Sequence, residues 1–169
     1  MKKLSLLFLA AMLCVSACAC KLTVKPAETE TVEYTVTWAL EESDEPVENG
    51  YFYVYYGDEN VTAYAVNIDD VDITEGALSV LVYLNENYDV PLSYSASAYG
   101  AFLTGFGSLS AEGNAFIALY TTNADDQNVP GEYTKELNID GKSFVTAGVG
   151  VSSMHVIGGE SVYLTLETF

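Results

Sequence analysis

Hydrophobic and polar positions alternate along most of this chain. In TVEYTVTWAL (31–40), Val32, Tyr34, Val36 and Trp38 fall on one side, the period-two pattern of a half-buried strand. YFYVYYG (51–57) and VTAYAVNI (61–68) read as two more strands, joined at Gly57-Asp58-Glu59-Asn60 into a hairpin. The period changes in ALSVLVYLNENY (77–88). Leu78, Leu81, Val82 and Asn85 share a helical face, with Thr74 as N-cap, Glu75 in the first turn and Pro91 as the stop. The β-branched Val80 and Val82 leave a strand as the alternative there.

SYSASAYGAFLTGF (93–106) is strand-like, with Gly100 and Gly105 as weak points or bulges, and SLSAEGN (108–114) is a turn. AFIALYTTN (115–123) is a continuous apolar run suited to a central strand. After the acidic loop 124–132, YTKELNI (133–139) and KSFVTAGVGV (142–151) flank Asp140-Gly141, the strongest hairpin signal in the chain. Gly158-Gly159 leads into a last alternating strand, SVYLTLETF (161–169). The pattern predicts about eight strands around one mid-chain helix, an α+β, β-rich fold.

The N-terminus follows a different logic. Lys2 and Lys3 precede the apolar run LSLLFLAAML (4–13), which is too short to span a bilayer. Val15-Ser16-Ala17-Cys18 then resembles a bacterial lipobox, with Cys18 as the lipidated residue; Cys14 and Cys20 have poorer flanks. Residues 1–17 are expected to be a lipoprotein signal peptide, 18–30 a lipid-anchored tether and 31–169 a single domain. The expected location is the bacterial cell envelope, on the extracytoplasmic face of the membrane or the cell surface. Diacylation supplies the two-chain anchoring that one acyl chain does not. All three cysteines lie in this region, so the domain has neither a disulfide framework nor a thiol nucleophile.

Charge narrows the partners. There are 24 acidic residues against six lysines and no arginine, a formal net charge of −18. Nucleic acid and anionic lipid surfaces both need a cationic face and are poor partners for the folded domain. The acidity fits solubility in an extracytoplasmic setting. Asp69-Asp70-Val71-Asp72 lacks the spacing and the terminal Glu of a calcium loop and reads as a solvated turn. His155 has no sequence-adjacent ligand or acid–base partner and reads as structural or exposed. No nucleophile elbow, phosphate loop or zinc motif occurs, and the carboxylates cluster in turns. The sequence therefore nominates no catalytic and no metal residues, and a non-enzyme is expected.

The 13 tyrosines offer a different chemistry: large apolar rings with a polar tip, suited to half-buried strand faces and ligand surfaces. Tyr99-Gly100-Ala101-Phe102-Leu103, then Gly105-Phe106-Gly107, AFIALYTTN, Ala147-Gly148-Val149-Gly150-Val151, Val156 and Gly158-Gly159 follow the helix-like stretch in order. Over about residues 60–169 this resembles the transcobalamin-like C-terminal domain, a module of bacterial surface proteins and of the animal cobalamin carriers. Phe116-Ile117 stands where that family has Tyr-Trp. The resemblance implies a β-grasp-like fold and non-covalent binding of a soluble ligand, with a corrinoid such as cobalamin as candidate, in support of uptake. It places Ser97, Tyr99, Phe102, Phe116 and Tyr120 towards the ligand; core packing is the other reading of each aromatic. A structural or adhesive surface module that binds protein or glycan is the alternative function.

Overall fold

The computed structural model describes residues 32–98 and 100–169. Its strands are β1 (Thr35–Leu40), β2 (Tyr51–Gly57), β3 (Asn60–Asn67), β4 (Leu92–Ser97), β5 (Gly100–Phe106), β6 (Leu109–Ser110), β7 (Ala115–Thr121), β8 (Glu136–Ile139), β9 (Lys142–Thr146) and β10 (Ser161–Thr168). One α-helix, α1 (Ala77–Tyr88), lies between β3 and β4. The fold is mostly β, and residues 32–169 form one compact unit.

Seven strands build a mixed sheet in the order β1-β3-β2-β10-β7-β9-β8, and β4-β5-β6 build a small antiparallel one. The local hairpins form as the sequence suggests. β2 and β3 pair antiparallel across Gly57–Asn60. β8 and β9 pair across Asp140-Gly141, whose φ values of 53° and 73° are both positive, as a type I′ turn requires. The parallel contacts, β1 with β3 and β2 with β10, join segments far apart in sequence.

The central strands bury both faces, and β2 shows why its composition is split. Phe52 and Val54 point into a core shared with Leu78, Leu81 and Leu84 of α1, with Leu103 and Phe106 of the small sheet, and with Val162 and Leu164 of β10. Tyr55 points the other way, into an aromatic core with Tyr120, Phe144 and Tyr163, flanked by Trp38 and Tyr53. In a flat sheet β2 and β9 would stand three spacings apart, about 14 Å. The Tyr55 and Phe144 ring centroids are 5.4 Å apart, so the sheet curls around this second core. Edge-on contacts of Trp38 with Tyr55 (5.7 Å) and of Phe144 with Tyr163 (6.0 Å) continue it.

The Tyr163 hydroxyl donates to the Gly57 carbonyl at 2.7 Å. The Tyr55 hydroxyl is the one buried side-chain polar atom with no partner among the described residues. An unsatisfied buried hydroxyl opposes folding. Tyr55→Phe is therefore expected to raise stability by about 1 kcal/mol in urea titration, by the cost of a lone buried hydroxyl; a loss of similar size would mean that the hydroxyl has a partner.

Several expectations are corrected. There are ten strands among the described residues rather than about eight, because the single run 93–106 is a hairpin, β4 and β5, and because the segment 108–114, expected to be only a turn, contributes the short strand β6 paired with the end of β5. Its bulge lies where Ser93-Tyr94 faces Gly105 and Leu103, leaving Thr104 as the extra residue. Helix α1 spans 77–88 as its periodicity predicts, but its N-cap is Gly76 rather than Thr74. Thr74 sits inside a separate 3-10 turn capped by the Asp72 carboxylate, which accepts from its N–H. The helix stops at Asp89, in the left-handed region at φ 55°, two residues before Pro91. β8 begins only at Glu136, and β9 ends at Thr146 where a strand to residue 151 was expected. Beyond Thr146 the chain is drawn off by the contacts described next.

Candidate functional site

Two features grow out of the end of β9. The first is a polar clamp. The Asp126 side chain is 1% exposed. Its Oδ2 accepts the His155 backbone N–H at 2.8 Å, and its Oδ1 lies 2.7 Å from His155 Nδ1. The Asp126 carbonyl accepts the Gly148 N–H at 2.8 Å. One residue thus ties Gly148 and His155 to the turn that follows β7, and the chain after Thr146 leaves the sheet. The bond to Asp126, then its charge, raises the His155 pKa above its ordinary 6.5. A raised folded-state pKa stabilises fully below the unfolded value, and that stabilisation is lost as pH rises through the folded value. The urea midpoint is therefore expected to fall as pH rises from the ordinary imidazole value through the raised one, and His155→Gln is expected to flatten that slope. An unchanged slope in the variant would assign the pH dependence to other groups.

The second feature is a groove of about 640 Å³ beside β7. All five residues Phe116–Tyr120 line it, although their side chains alternate between the two faces of the sheet. Only the edge of a strand can present consecutive residues to one space. β9 pairs with β7 only at Tyr120 and Thr121, and the Ala147 N–H adds one bond to the Leu119 carbonyl, so the edge before Leu119 is open. Ala101, Phe102 and Leu103 of β5 line the groove as well.

Three of the residues nominated from the sequence meet here. Phe102 is half-exposed, at 51%. Phe116 stacks on Phe169, with centroids 4.6 Å apart. Tyr120 is buried, and its hydroxyl donates to the Glu167 carboxylate. Burial first, then that bond, pushes the Tyr120 pKa well above the ordinary phenol value. Tyr120 therefore acts as floor and core residue more than as a contact surface. Ser97 does not line the groove; its Oγ donates to the Gly100 carbonyl at 2.8 Å across the β4–β5 turn. Tyr99 and Cys18 lie outside the described residues.

The sequence reading missed four groove residues. Tyr133 and Phe169 are 79% and 92% exposed, and two such rings beside Phe102 make an apolar surface of the kind that marks interaction sites. Lys135 Nζ lies 2.6 Å from Glu167 Oε2, so the groove also holds one ion pair. It is largely exposed and contributes under about 1 kcal/mol to stability. The sequence pattern makes Tyr133 the first residue of a strand over 133–139, but β8 begins only at Glu136, which leaves Tyr133 outside the sheet and exposed after Pro130-Gly131. The Asp126–His155 pair has no signal in the sequence, since 29 residues separate its members.

Elsewhere, Asp70, Asp72, Glu75 and Glu86 gather around a shallow depression. Two carboxylates of the 69–72 segment hold backbone: Asp69 accepts the N–H of Glu48, 21 residues away, at 3.0 Å, and Asp72 caps the turn at Thr74.

The described residues define a two-sheet, mostly β domain with an aromatic, open-edged groove between the sheets. No family model and no curated protein matches the chain. Among solved structures it is similar to a "putative metal binding protein" from Ruminococcus gnavus ATCC 29149, at 14% identity and a TM-score of 0.45, over 71% of this chain and 98% of that one.

Proposed function

We propose that this protein is a non-catalytic binding protein and that the groove beside β7 is its site. One observation carries the reading: Phe102 and Phe116, from different sheets, converge with Tyr133 and Phe169 on a single space of drug-sized volume. Rings that stay exposed at a concave site gain by being covered, at about 25 cal/mol per Å² of apolar surface. The lone Lys135–Glu167 pair supplies an orienting polar contact.

The signal-like residues 1–17 and the lipobox-like cysteine support a setting for that site. Cys18 anchors the chain by lipid on the extracytoplasmic face of the bacterial envelope, and residues 18–30 tether the domain. The β-grasp-like relation to transcobalamin-type domains belongs to the same proposal. Its support is α1 lying across one face of a mixed sheet, together with the residues that resemble that family.

Cobalamin is the small-molecule candidate that the resemblance supplies. Titration of residues 32–169 with cobalamin, followed by absorbance and calorimetry, is expected to give micromolar binding that Phe102→Ala and Phe116→Ala together weaken at least about tenfold, the loss of typical aromatic anchors. No binding at micromolar ligand sinks the corrinoid version. The groove then serves the second reading, a surface module that binds protein. The specific observation in favour of that reading is the open strand edge.

A further inference from the structure

The geometry of β7 points to a class of partner, and this step rests on the groove being the binding site. β7 and β10 pair without a break from Ala115↔Thr168 to Thr121↔Val162. Two bonds just outside that ladder fix its parity. Thr122 N–H donates to the Ser161 carbonyl, and Phe169 N–H donates to the Asn114 carbonyl. Even-numbered residues of β7 therefore direct their backbone groups towards β10. Odd-numbered ones point the other way, because N–H and C=O of one residue in an antiparallel strand share a direction. The Leu119 carbonyl agrees: it accepts the Ala147 N–H, on the β9 side.

β9 stops at Thr146 and pairs with β7 no earlier than Tyr120. The Ala115 carbonyl, both backbone groups of Ile117 and the Leu119 N–H thus point away from β10 along the open edge, with no backbone partner among the described residues. Backbone groups left unpaired beside apolar rings are costly, and the ligand that satisfies all four at their spacing is another extended chain. The neighbouring rings offer places for its side chains. Charge sets its character: Lys135 and Lys142 are the only lysines between residues 32 and 169, where there is no arginine, and Glu132 and Glu167 line the groove.

We infer that the groove binds an extended, basic peptide segment as an added strand on the open edge of β7, through alternating backbone hydrogen bonds to Ile117 and Leu119. A small apolar molecule would fill the same space without reading that alternation. The Asp126 clamp takes part indirectly, since it holds Gly148 and His155 and so draws the chain after β9 away from this edge.

The test is residue-resolved amide hydrogen exchange on residues 32–169. In the free protein, the Ile117 and Leu119 amides are expected to exchange at least about tenfold faster than those of Ala118 and Tyr120, the difference that one backbone hydrogen bond makes. Equal protection at all four means that the edge is already paired, and this overturns the inference. A nonapeptide of alternating valine with lysine or threonine is then added, beside a twin N-methylated at every second residue on its pairing edge. The parent peptide is expected to raise protection at Ile117 and Leu119 and to leave Ala118 and Tyr120 unchanged; the twin is expected to lose binding. Binding without that alternation, or equal binding of the twin, overturns strand addition. A peptide that does not bind while small aromatic fragments fill the groove overturns the peptide inference and leaves the groove reading intact. If neither binds, both fall.

Discussion

Phe144→Ala is expected to cost about 4 kcal/mol, at the upper end of single-residue effects. Phe144 is fully buried on the short strand β9, in edge contact with Tyr55 at 5.4 Å and with Tyr163 at 6.0 Å. Those rings come from β2 and β10, so this side chain links the far limb of the curled sheet to its centre. Truncation removes the transfer free energy of a phenyl ring and leaves a cavity whose other walls are large, rigid rings. Such rings collapse poorly into empty space. β9 and β8 hold few other buried side chains, Ile139 among them, so the loss falls on the part of the sheet with the least reserve. Urea unfolding checks this, with Phe102→Ala as the control. Phe102 is half-exposed, and its truncation is expected to stay within about 1 kcal/mol of the parent. Equal losses for the two variants would mean that the concave face holds no core.

The second large effect is expected at Asp126. Its carboxylate accepts the His155 N–H and faces the His155 ring, and Asn123 Nδ2 lies 3.4 Å away. Asp126→Ala leaves the His155 backbone N–H and the buried Asn123 amide without their acceptor. The expected cost is about 3 kcal/mol, since bonds to a charged acceptor contribute more than neutral ones and buried donors are costly to abandon. Asp126→Asn keeps one acceptor oxygen and is expected to lose about half as much. The same unfolding assay checks both, and amide exchange at His155 should rise most. A variant as stable as the parent would show that the clamp does not hold this segment.

What the sequence disclosed depended on the range of each interaction. The Asp140-Gly141 turn, the β2–β3 hairpin and the span of α1 are local, and backbone preference with periodicity placed them well. The break of 93–106 into β4 and β5 was masked, because Gly100 reads equally as a bulge and as the start of a returning strand. The parallel pairings of β1 with β3 and of β2 with β10 have no local signal. Nor has the curl that turns Tyr55, Phe144 and Tyr163 into one core. At the site, alternation alone would have put Phe116 and Tyr120 on one face and Ile117 and Leu119 on the other. It is the early end of β9 that brings all four to one groove, and that end is set by Asp126 and His155. Tyr133 and Phe169 join the site through loop and terminal positions, to which no periodicity applies.

The groove as binding site is tested most directly by screening small aromatic fragments against isotope-labelled residues 32–169 and mapping amide shifts. Binding fragments are expected to move the signals of Phe102, Phe116, Tyr133 and Lys135 together, and to do so less in Phe102→Ala. Fragments that shift only residues away from β5 and β7, or none that bind at all, would contradict the assignment.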